Sequence, residues 1–260
     1  MPFLDLDRIA LRYADEGDGE KTLLLIHEMG GSLESWDYLV PLLTPHYRVI
    51  RYDCRGAGLS EKPRSPFTIF DFTADAIGLL DALGIEGPVI PVGCAVGAAT
   101  ALHMAAIHPD RFERIVSISP STGISEERQQ AVLARADLLE NDGSRAGVDV
   151  GLDRGYPSAY RKDRNRFTST RAQRIGADPY GFAATMRMLA GLSLDEDIAK
   201  VSCPCLFIAG EIDADRPPAA VEAIASTVSN STFRVIEGGH FMAMHSPDLL
   251  AAEIFDFLRQ

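Results

Sequence analysis

Short apolar segments alternate along the chain with longer segments of helical periodicity. Two of the apolar segments, "TLLLI" and "CLFIA", are continuous runs typical of strands buried on both faces. The pattern predicts seven strands, at Ile9–Tyr13, Thr22–Ile26, Tyr47–Tyr52, Val89–Val92, Arg114–Ser119, Cys205–Ala209 and Thr232–Ile236. It predicts helices between them, at Ser35–Leu43, Phe70–Leu83, Val96–His108, Pro218–Ser229 and Pro247–Leu258. This alternation indicates an α/β fold, with a mostly parallel sheet and helices on both of its faces.

One long segment interrupts the alternation. Residues 121–200 contain no convincing strand, and their patterns are helical, at Glu126–Glu140, Ser158–Asn165, Ser169–Ile175 and Tyr180–Leu189. A structureless loop of that length is rare in a compact domain, so the segment is predicted to be a helical cap inserted between two core strands. The core is then formed by residues 1–120 and 201–260.

Composition and charge narrow the range of partners. The chain has 260 residues, of which 46% are hydrophobic, and a formal net charge of −12. An acidic protein of this kind is a poor match for nucleic acid or an anionic membrane, and no apolar run reaches the roughly 18 residues of a membrane span. The four cysteines lack the spacing of a zinc or redox motif. We expect a cytoplasmic protein with a small-molecule substrate, no metal and no organic cofactor, and a homodimer is left open.

The stretch "PVGCAVGAATALHMAA" has the pattern of a strand that turns sharply into a helix. Such a turn usually presents a nucleophile at its tip, on the pattern G-x-S-x-G, and here the tip residue is Ala95. The N–H of Val96 is predicted to face the same point, as a donor at the helix terminus. Cys94 is a weaker candidate nucleophile. With Cys94 at the tip, the pattern would place Val92 and Val96 where the turn needs small residues, and the Cys94 side chain is expected to point away from the tip.

Two glycine-rich loops follow the second and third predicted strands. In "LLLIHEMGGS", Gly30 and Gly31 allow the backbone to approach a ligand and to present its N–H groups to a developing oxyanion. Glu28 is unusual beside such a site, since its carboxylate needs a partner or must face away. In "YDCRGAGLSEKP", Asp53 and Arg55 are interpreted as a charged pair that ties a structural loop together.

Two further motifs end the last two strands. "LFIAGEIDADRP" places Asp213 where a carboxylate can orient a histidine, and "VIEGGHFMAMHSP" places His240 after a glycine pair. His245 is interpreted as a surface or capping residue, and His103 and His108 as structural residues. Tip residue, aspartate and histidine therefore occur in the order typical of a hydrolytic triad, each at the carboxyl end of a predicted strand.

These motifs together resemble the α/β-hydrolase fold over the whole chain, with a helical cap. The segments "IHEMGGSLESWD", "RYDCRGAGLS" and "EGGHFMAMHSP" are most similar to the 3-oxoadipate enol-lactonase and carbon–carbon bond hydrolase branches. The resemblance implies His240 as general base and acid, Asp213 as its orienting carboxylate, and the N–H groups of Met29 and Val96 as the oxyanion hole. Residues expected to contact the substrate are Glu28, Trp36 and Phe241. Position 95 departs from the family, which normally has serine there.

Three explanations for Ala95 stay open at this point. The chain is an altered form of a serine enzyme, or an enzyme that uses His240 without a serine, or a ligand-binding protein on a hydrolase scaffold. We expect a hydrolase for a small carboxylated ester, lactone, amide or β-keto acid from aromatic or heterocyclic breakdown. Cap arginines expected to receive the carboxylate are Arg161, Arg164, Arg166, Arg171 and Arg174.

Overall fold

A central sheet of eight strands organises the computed structural model, which describes residues 2–259. The strands are β1 (Phe3–Asp5), β2 (Ala10–Glu16), β3 (Thr22–Ile26), β4 (Arg48–Tyr52), β5 (Ile90–Cys94), β6 (Ile115–Ile118), β7 (Cys205–Gly210) and β8 (Ser231–Ile236). Their spatial order is β1-β2-β4-β3-β5-β6-β7-β8. The first two strands run antiparallel to their neighbours and the other six are parallel. The predicted α/β fold class is confirmed.

The apolar runs become the buried strands because helices cover both faces of the sheet. All five residues of β3 are buried, and along the strand the side chains alternate between two hydrophobic clusters, one on each face. All seven predicted strands are present with shifts of a few residues at their ends. Strand β1 was not predicted, because three partly exposed residues at the sheet edge carry too little apolar pattern.

Eleven helices are found within residues 2–259. Those of the core are α1 (Val40–Leu43), α2 (Ile69–Ala82), α3 (Val96–Ile107), α9 (Pro218–Ala225), α10 (Met242–His245) and α11 (Pro247–Arg259). Helices α2, α3 and α9 pack on one face of the sheet, and α1 and α11 on the other. The helix predicted over Ser35–Leu43 is wrong as a single element, since the chain forms a 3₁₀ turn at Leu33–Trp36 and then α1.

Between β6 and β7 the chain forms five helices and only an isolated bridge, Gly123 to Ser193. They are α4 (Glu126–Asp142), α5 (Val148–Gly155), α6 (Arg164–Gly176), α7 (Pro179–Ala190) and α8 (Asp195–Ile198). Residues 121–200 are called the cap below. Met1 and Gln260, the outermost residues of the predicted core, lie outside the described part of the chain.

Two differences from the predicted cap have local causes. The helix predicted over Ser158–Asn165 is wrong, because Asp163 accepts a hydrogen bond from the Arg166 N–H at 3.0 Å and so begins α6 at Arg164. Helix α5 was not predicted, because its sequence "VDVGLDRG" contains two glycines, which disfavour helix. No helix within residues 2–259 is long and apolar enough to cross a bilayer.

The charged pair predicted between Asp53 and Arg55 is also wrong. Asp53 is fully buried and instead accepts hydrogen bonds from the Arg12 guanidinium and from the N–H groups of Leu33 and Leu59. Arg55 instead binds Asp75 on α2 through two hydrogen bonds of 2.6 and 2.7 Å. Both charges still fix the loop after β4, but each does so through a partner distant in sequence.

Candidate active site

The turn between β5 and α3 has a strained backbone at its tip. Ala95 adopts φ 52° and ψ −110°, a left-handed region that residues with a Cβ rarely occupy and that costs about 1–3 kcal/mol. The Ala95 N–H donates to the Ile118 carbonyl on the neighbouring strand at 2.9 Å, which helps to hold the turn. The strained elbow geometry is therefore present although the side chain at its tip is a methyl group.

Two glycines make this turn possible because other backbone lies against them. A Cβ on Gly93 would lie 2.3 Å from the Gly97 carbonyl oxygen, and a Cβ on Gly97 would lie 2.0 Å from the Ile26 carbonyl oxygen. Both distances are far shorter than van der Waals contact. The spacing G-x-A-x-G is thus a packing requirement of the elbow, whatever residue occupies the tip.

We expect Gly97→Ala to lower the free energy of unfolding by about 1–3 kcal/mol, because β3 backbone must move to admit the methyl group. Chemical denaturation followed by circular dichroism measures the change. Gly87→Ala is the matched control, since no heavy atom lies within 4 Å of a Cβ at that exposed position. Equal stabilities of the two variants would contradict the close approach of α3 to β3.

His240 and Asp213 meet at the carboxyl ends of β8 and β7. The His240 Nδ1 lies 2.7 Å from Asp213 Oδ2 and donates to it, so the neutral tautomer that this bond selects has Nε2 as its acceptor nitrogen. Asp213 Oδ1 accepts from the N–H groups of Asp215 and Arg216 at 2.8 and 2.9 Å. Burial opposes ionisation of Asp213, but His240 and these hydrogen bonds outweigh it, and the pKa of Asp213 is lowered.

The loop after β3 carries the first predicted oxyanion donor. The Glu28 carbonyl accepts hydrogen bonds from His27 Nδ1 at 2.7 Å and from the Gly31 N–H at 3.0 Å. Because the peptide is trans, the N–H of Met29 points the opposite way from that carbonyl. His27 is itself held, since its Nε2 accepts from the Cys54 N–H at 3.0 Å. His27 thus fixes the orientation of this peptide, a role that the sequence did not reveal.

A cavity of about 460 Å³ lies between the cap and the carboxyl ends of the strands. Its lining brings together Ala95, Val96, Met29 and His240, which come from the ends of β3, β5 and β8. These four residues therefore border the same space. Among the backbone hydrogen bonds that residues 2–259 form outside their helices and strands, none uses the N–H of Met29 or Val96.

Two of the three predicted substrate contacts also line this cavity, namely Glu28 and Phe241. Trp36 does not. It is fully buried in the hydrophobic cluster on the face of the sheet that α1 and α11 cover. Its 3₁₀ turn packs on β3 and β4, which places the indole in the core. Trp36 is therefore a core residue, and its predicted substrate contact is corrected.

Three other sequence interpretations concern histidine and cysteine. Cys94 is buried with its Sγ 3.7 Å from the His240 carbonyl oxygen, and burial raises the pKa of its thiol, so the thiol is not a poised nucleophile. His245 is half-buried, its Nε2 accepts from the Gly239 N–H at 3.2 Å, and burial lowers its pKa to about 4. His103 is buried on α3 and pairs with Thr73 at 2.8 Å.

The arginines expected to meet a substrate carboxylate are mostly elsewhere. Of the five named from the sequence, only Arg174 lines the cavity, and Arg161 and Arg171 pair at the cap surface with Asp153 and Asp149. Four other arginines line the cavity instead, Arg128, Arg135, Arg154 and Arg216. The sequence contained a signal for two of these arginines, because residues 128 and 135 are two turns apart and so lie on one face of α4.

The cavity lining is positively charged although the chain is acidic. Its five arginines face two carboxylates, Glu28 and Asp215, which gives a net charge of +3 against −12 for the whole chain. Arg174 pairs with Glu28 and Arg154 with Asp215. Within residues 2–259, the guanidinium groups of Arg128, Arg135 and Arg216 form no ion pair. That of Arg216 donates instead to the backbone carbonyls of Pro120, Asp215 and Gly123. Burial lowers the pKa of Arg135 and of Arg216, which expresses the cost of these uncompensated charges.

A mostly parallel sheet with a helical cap, with an elbow after β5, a carboxylate after β7 and a histidine after β8, is the arrangement of hydrolases of the α/β type. Residues 21–186 match the family described as the alpha/beta hydrolase fold, and the chain belongs to that family.

Its relatives are hydrolases. The chain is 27% identical to 3-oxoadipate enol-lactonase 2 of Acinetobacter baylyi over 92% of its own length and 89% of the relative's. It is 26% identical to 2-hydroxy-6-oxo-6-(2'-aminophenyl)hexa-2,4-dienoic acid hydrolase of Metapseudomonas resinovorans, over 98% of this chain and 90% of that one. The crystal structure of the enol-lactonase from Burkholderia xenovorans LB400 superimposes with a TM-score of 0.92 at 26% identity, over all of both chains.

Proposed function

We propose that this protein hydrolyses a small carboxylated ester or lactone, with His240 activating water directly. The observation that carries the proposal is the pairing of His240 with Asp213 beside two unengaged backbone N–H groups in one cavity. A protein that only binds a ligand has no need of an oriented base. Residue 95 supplies no nucleophile, so the attacking oxygen is assigned to water.

The reaction follows from the positions of these groups. His240 Nε2 takes a proton from a water molecule above the Ala95 methyl group, and the water oxygen forms a bond to the substrate carbonyl carbon. The carbonyl oxygen gains negative charge, which the N–H groups of Met29 and Val96 stabilise. As the intermediate collapses, the bond to the leaving oxygen breaks and His240 returns the proton to that oxygen. Asp213 stays ionised and stabilises the imidazolium between the two transfers.

The substrate class is argued from charge and from the relatives. Arg128, Arg135 and Arg216 place uncompensated positive charge in the cavity, and a substrate carboxylate would supply the missing partner. The names of two relatives describe an enol-lactonase and the hydrolase of a dienoic acid. An enol-lactone is an activated acyl compound, which suits direct attack by water better than an amide does.

Arg135→Gln tests the substrate class. We expect it to lower kcat/KM for mono(4-nitrophenyl) glutarate by about 10- to 100-fold, since a charge-assisted hydrogen bond is lost, while 4-nitrophenyl butyrate changes little. Release of nitrophenolate measures both rates. Arg145→Gln is the matched control, because Arg145 is exposed on the cap and does not line the cavity. Equal losses on the charged and the neutral ester would contradict carboxylate recognition at Arg135.

A further inference from the structure

A buried ion pair joins the cap to the loop that carries Met29. Arg174 on α6 donates through Nη2 to Glu28 Oε1 at 2.7 Å, and the two side chains are 9% and 4% exposed. The guanidinium carbon lies 3.9 Å from the centre of the Phe241 ring, which supports it from below. This is one of two ion pairs among the charged residues of the cavity lining, and the cap and the core each contribute one partner.

The same arginine holds the backbone of the loop. Arg174 Nη1 donates to the Met29 carbonyl at 3.2 Å, while the preceding carbonyl, that of Glu28, is held by His27 and Gly31. The peptide before the Met29 Cα is therefore fixed by the core, and the peptide after it is fixed by the cap. Together the two contacts restrict both backbone dihedrals of Met29, and hence the conformation of the loop at this residue.

The charge of Arg174 has a second effect on this site. The Glu28 carboxylate lies in the cavity lining, where its negative charge would oppose an oxyanion forming at the Met29 N–H. Arg174 neutralises it, since a guanidinium stays protonated even where burial lowers its pKa, as it does here. Ser35 donates to the same Glu28 oxygen at 3.0 Å but brings no charge.

We propose that Arg174 is a positioning residue, through which docking of cap helix α6 completes the oxyanion hole at Met29. The inference rests on the proposed function for the oxyanion role of Met29, but the link between α6 and the loop is a separate property. Glu28 is the core partner in this link, and its side chain keeps the guanidinium against the loop. If the ion pair served only to hold the cap, its removal would leave the conformation of the loop unchanged.

Hydrogen exchange tests the link without any substrate. Peptides covering residues 26–36 are followed by mass spectrometry in the unaltered chain and in Arg174→Gln. We expect exchange of the Gly31 amide, which bonds to the Glu28 carbonyl, to become about tenfold faster. Arg171→Gln is the control, because it breaks an exposed ion pair of the same helix with Asp149. Unchanged exchange in residues 26–36 of Arg174→Gln would overturn the proposal.

Kinetics test the effect on the reaction. For 4-nitrophenyl butyrate we expect kcat of Arg174→Gln to fall about 10- to 100-fold with little change in KM, because the oxyanion forms only in the transition state. The double variant Glu28→Gln/Arg174→Gln leaves no unpaired buried charge, so it is expected to fold and to be faster than Arg174→Gln alone. Arg174→Lys, which keeps the charge, is expected to lie between Arg174→Gln and the unaltered chain.

The possible failures are distinguishable. Faster exchange in Arg174→Gln with unchanged kcat would show that the link exists and that Met29 is not an oxyanion donor, which overturns the positioning role. Absence of hydrolysis in the unaltered chain, together with faster exchange, would overturn the proposed function and support the link. A fall in kcat that is equal for Arg174→Gln and Arg171→Gln would assign the effect to cap stability and overturn the proposal.

Discussion

Replacing Ala95 by serine is expected to raise kcat for 4-nitrophenyl butyrate by about 10³-fold or more. The elbow already has the backbone that presents a side chain at its tip, with φ 52° and ψ −110° at Ala95. A serine Oγ there would project into the cavity that His240 lines, beside the N–H groups of Met29 and Val96. In a serine protease the nucleophile and its base act as a unit worth about 10⁶ in kcat, so a thousandfold gain requires only part of that geometry.

Three measurements identify the cause of such a gain. A burst of nitrophenolate and an acylated protein in the mass spectrum show that the serine is the nucleophile. The control Ala95→Ser/His240→Ala is expected to lose the gain, since the hydroxyl then lacks its base. Absence of any gain in a folded Ala95→Ser protein would mean that residue 95 is out of reach of His240, which contradicts the proposed site.

His240→Ala in the unaltered chain is expected to lower kcat for mono(4-nitrophenyl) glutarate by about 10²- to 10⁴-fold, the usual value of a positioned general base. Asp213→Asn is expected to lower it as well, because the amide no longer selects the tautomer in which Nε2 accepts a proton. Steady-state release of nitrophenolate measures both. His108→Ala is the control, since that histidine is exposed at the end of α3.

The same pair of variants separates an enzyme from a binding protein. A ligand-binding protein would hydrolyse neither ester above the rate in buffer, with or without His240. Hydrolysis that survives unchanged in His240→Ala would assign the reaction to another group and contradict the base proposed here. Both interpretations require a folded variant, because His240 is only 7% exposed and its replacement can destabilise the protein. The melting temperature of His240→Ala must therefore be close to that of the unaltered chain.

The part of the site that follows from local sequence rules could be predicted. Asp213 and His240 are recognisable because each follows an apolar strand, and parallel strands bring their carboxyl ends to one edge of the sheet. The elbow is recognisable because close backbone packing requires glycine at both position 93 and position 97, which fixes the spacing of the two glycines in the sequence. The strand order puts the ends of β5, β7 and β8 at one edge of the sheet, where Ala95 and His240 line the same cavity.

What could not be predicted depends on how the cap packs. The sequence concentrates arginines in residues 161–174, but most of that cluster faces outward, and the cavity receives Arg128 and Arg135 from α4 and Arg216 from the loop after β7. Trp36 was misplaced for a related reason. Whether an aromatic residue after a strand enters a cavity or the core depends on the rotation of a four-residue turn, which periodicity does not determine.

The sign of the cavity charge has a consequence for ionic strength. In dilute salt the Debye length is long, about 30 Å at 0.01 M against about 10 Å at 0.1 M, so an approaching anionic substrate meets the field of the whole molecule, which is repulsive at −12. Attraction by the arginines begins only near the entrance. Moderate salt screens the outer repulsion more than the enclosed attraction. The anionic substrate is therefore expected to bind more slowly in dilute salt than at moderate ionic strength. Enzymes that attract their ligands over long distances show the opposite dependence on salt.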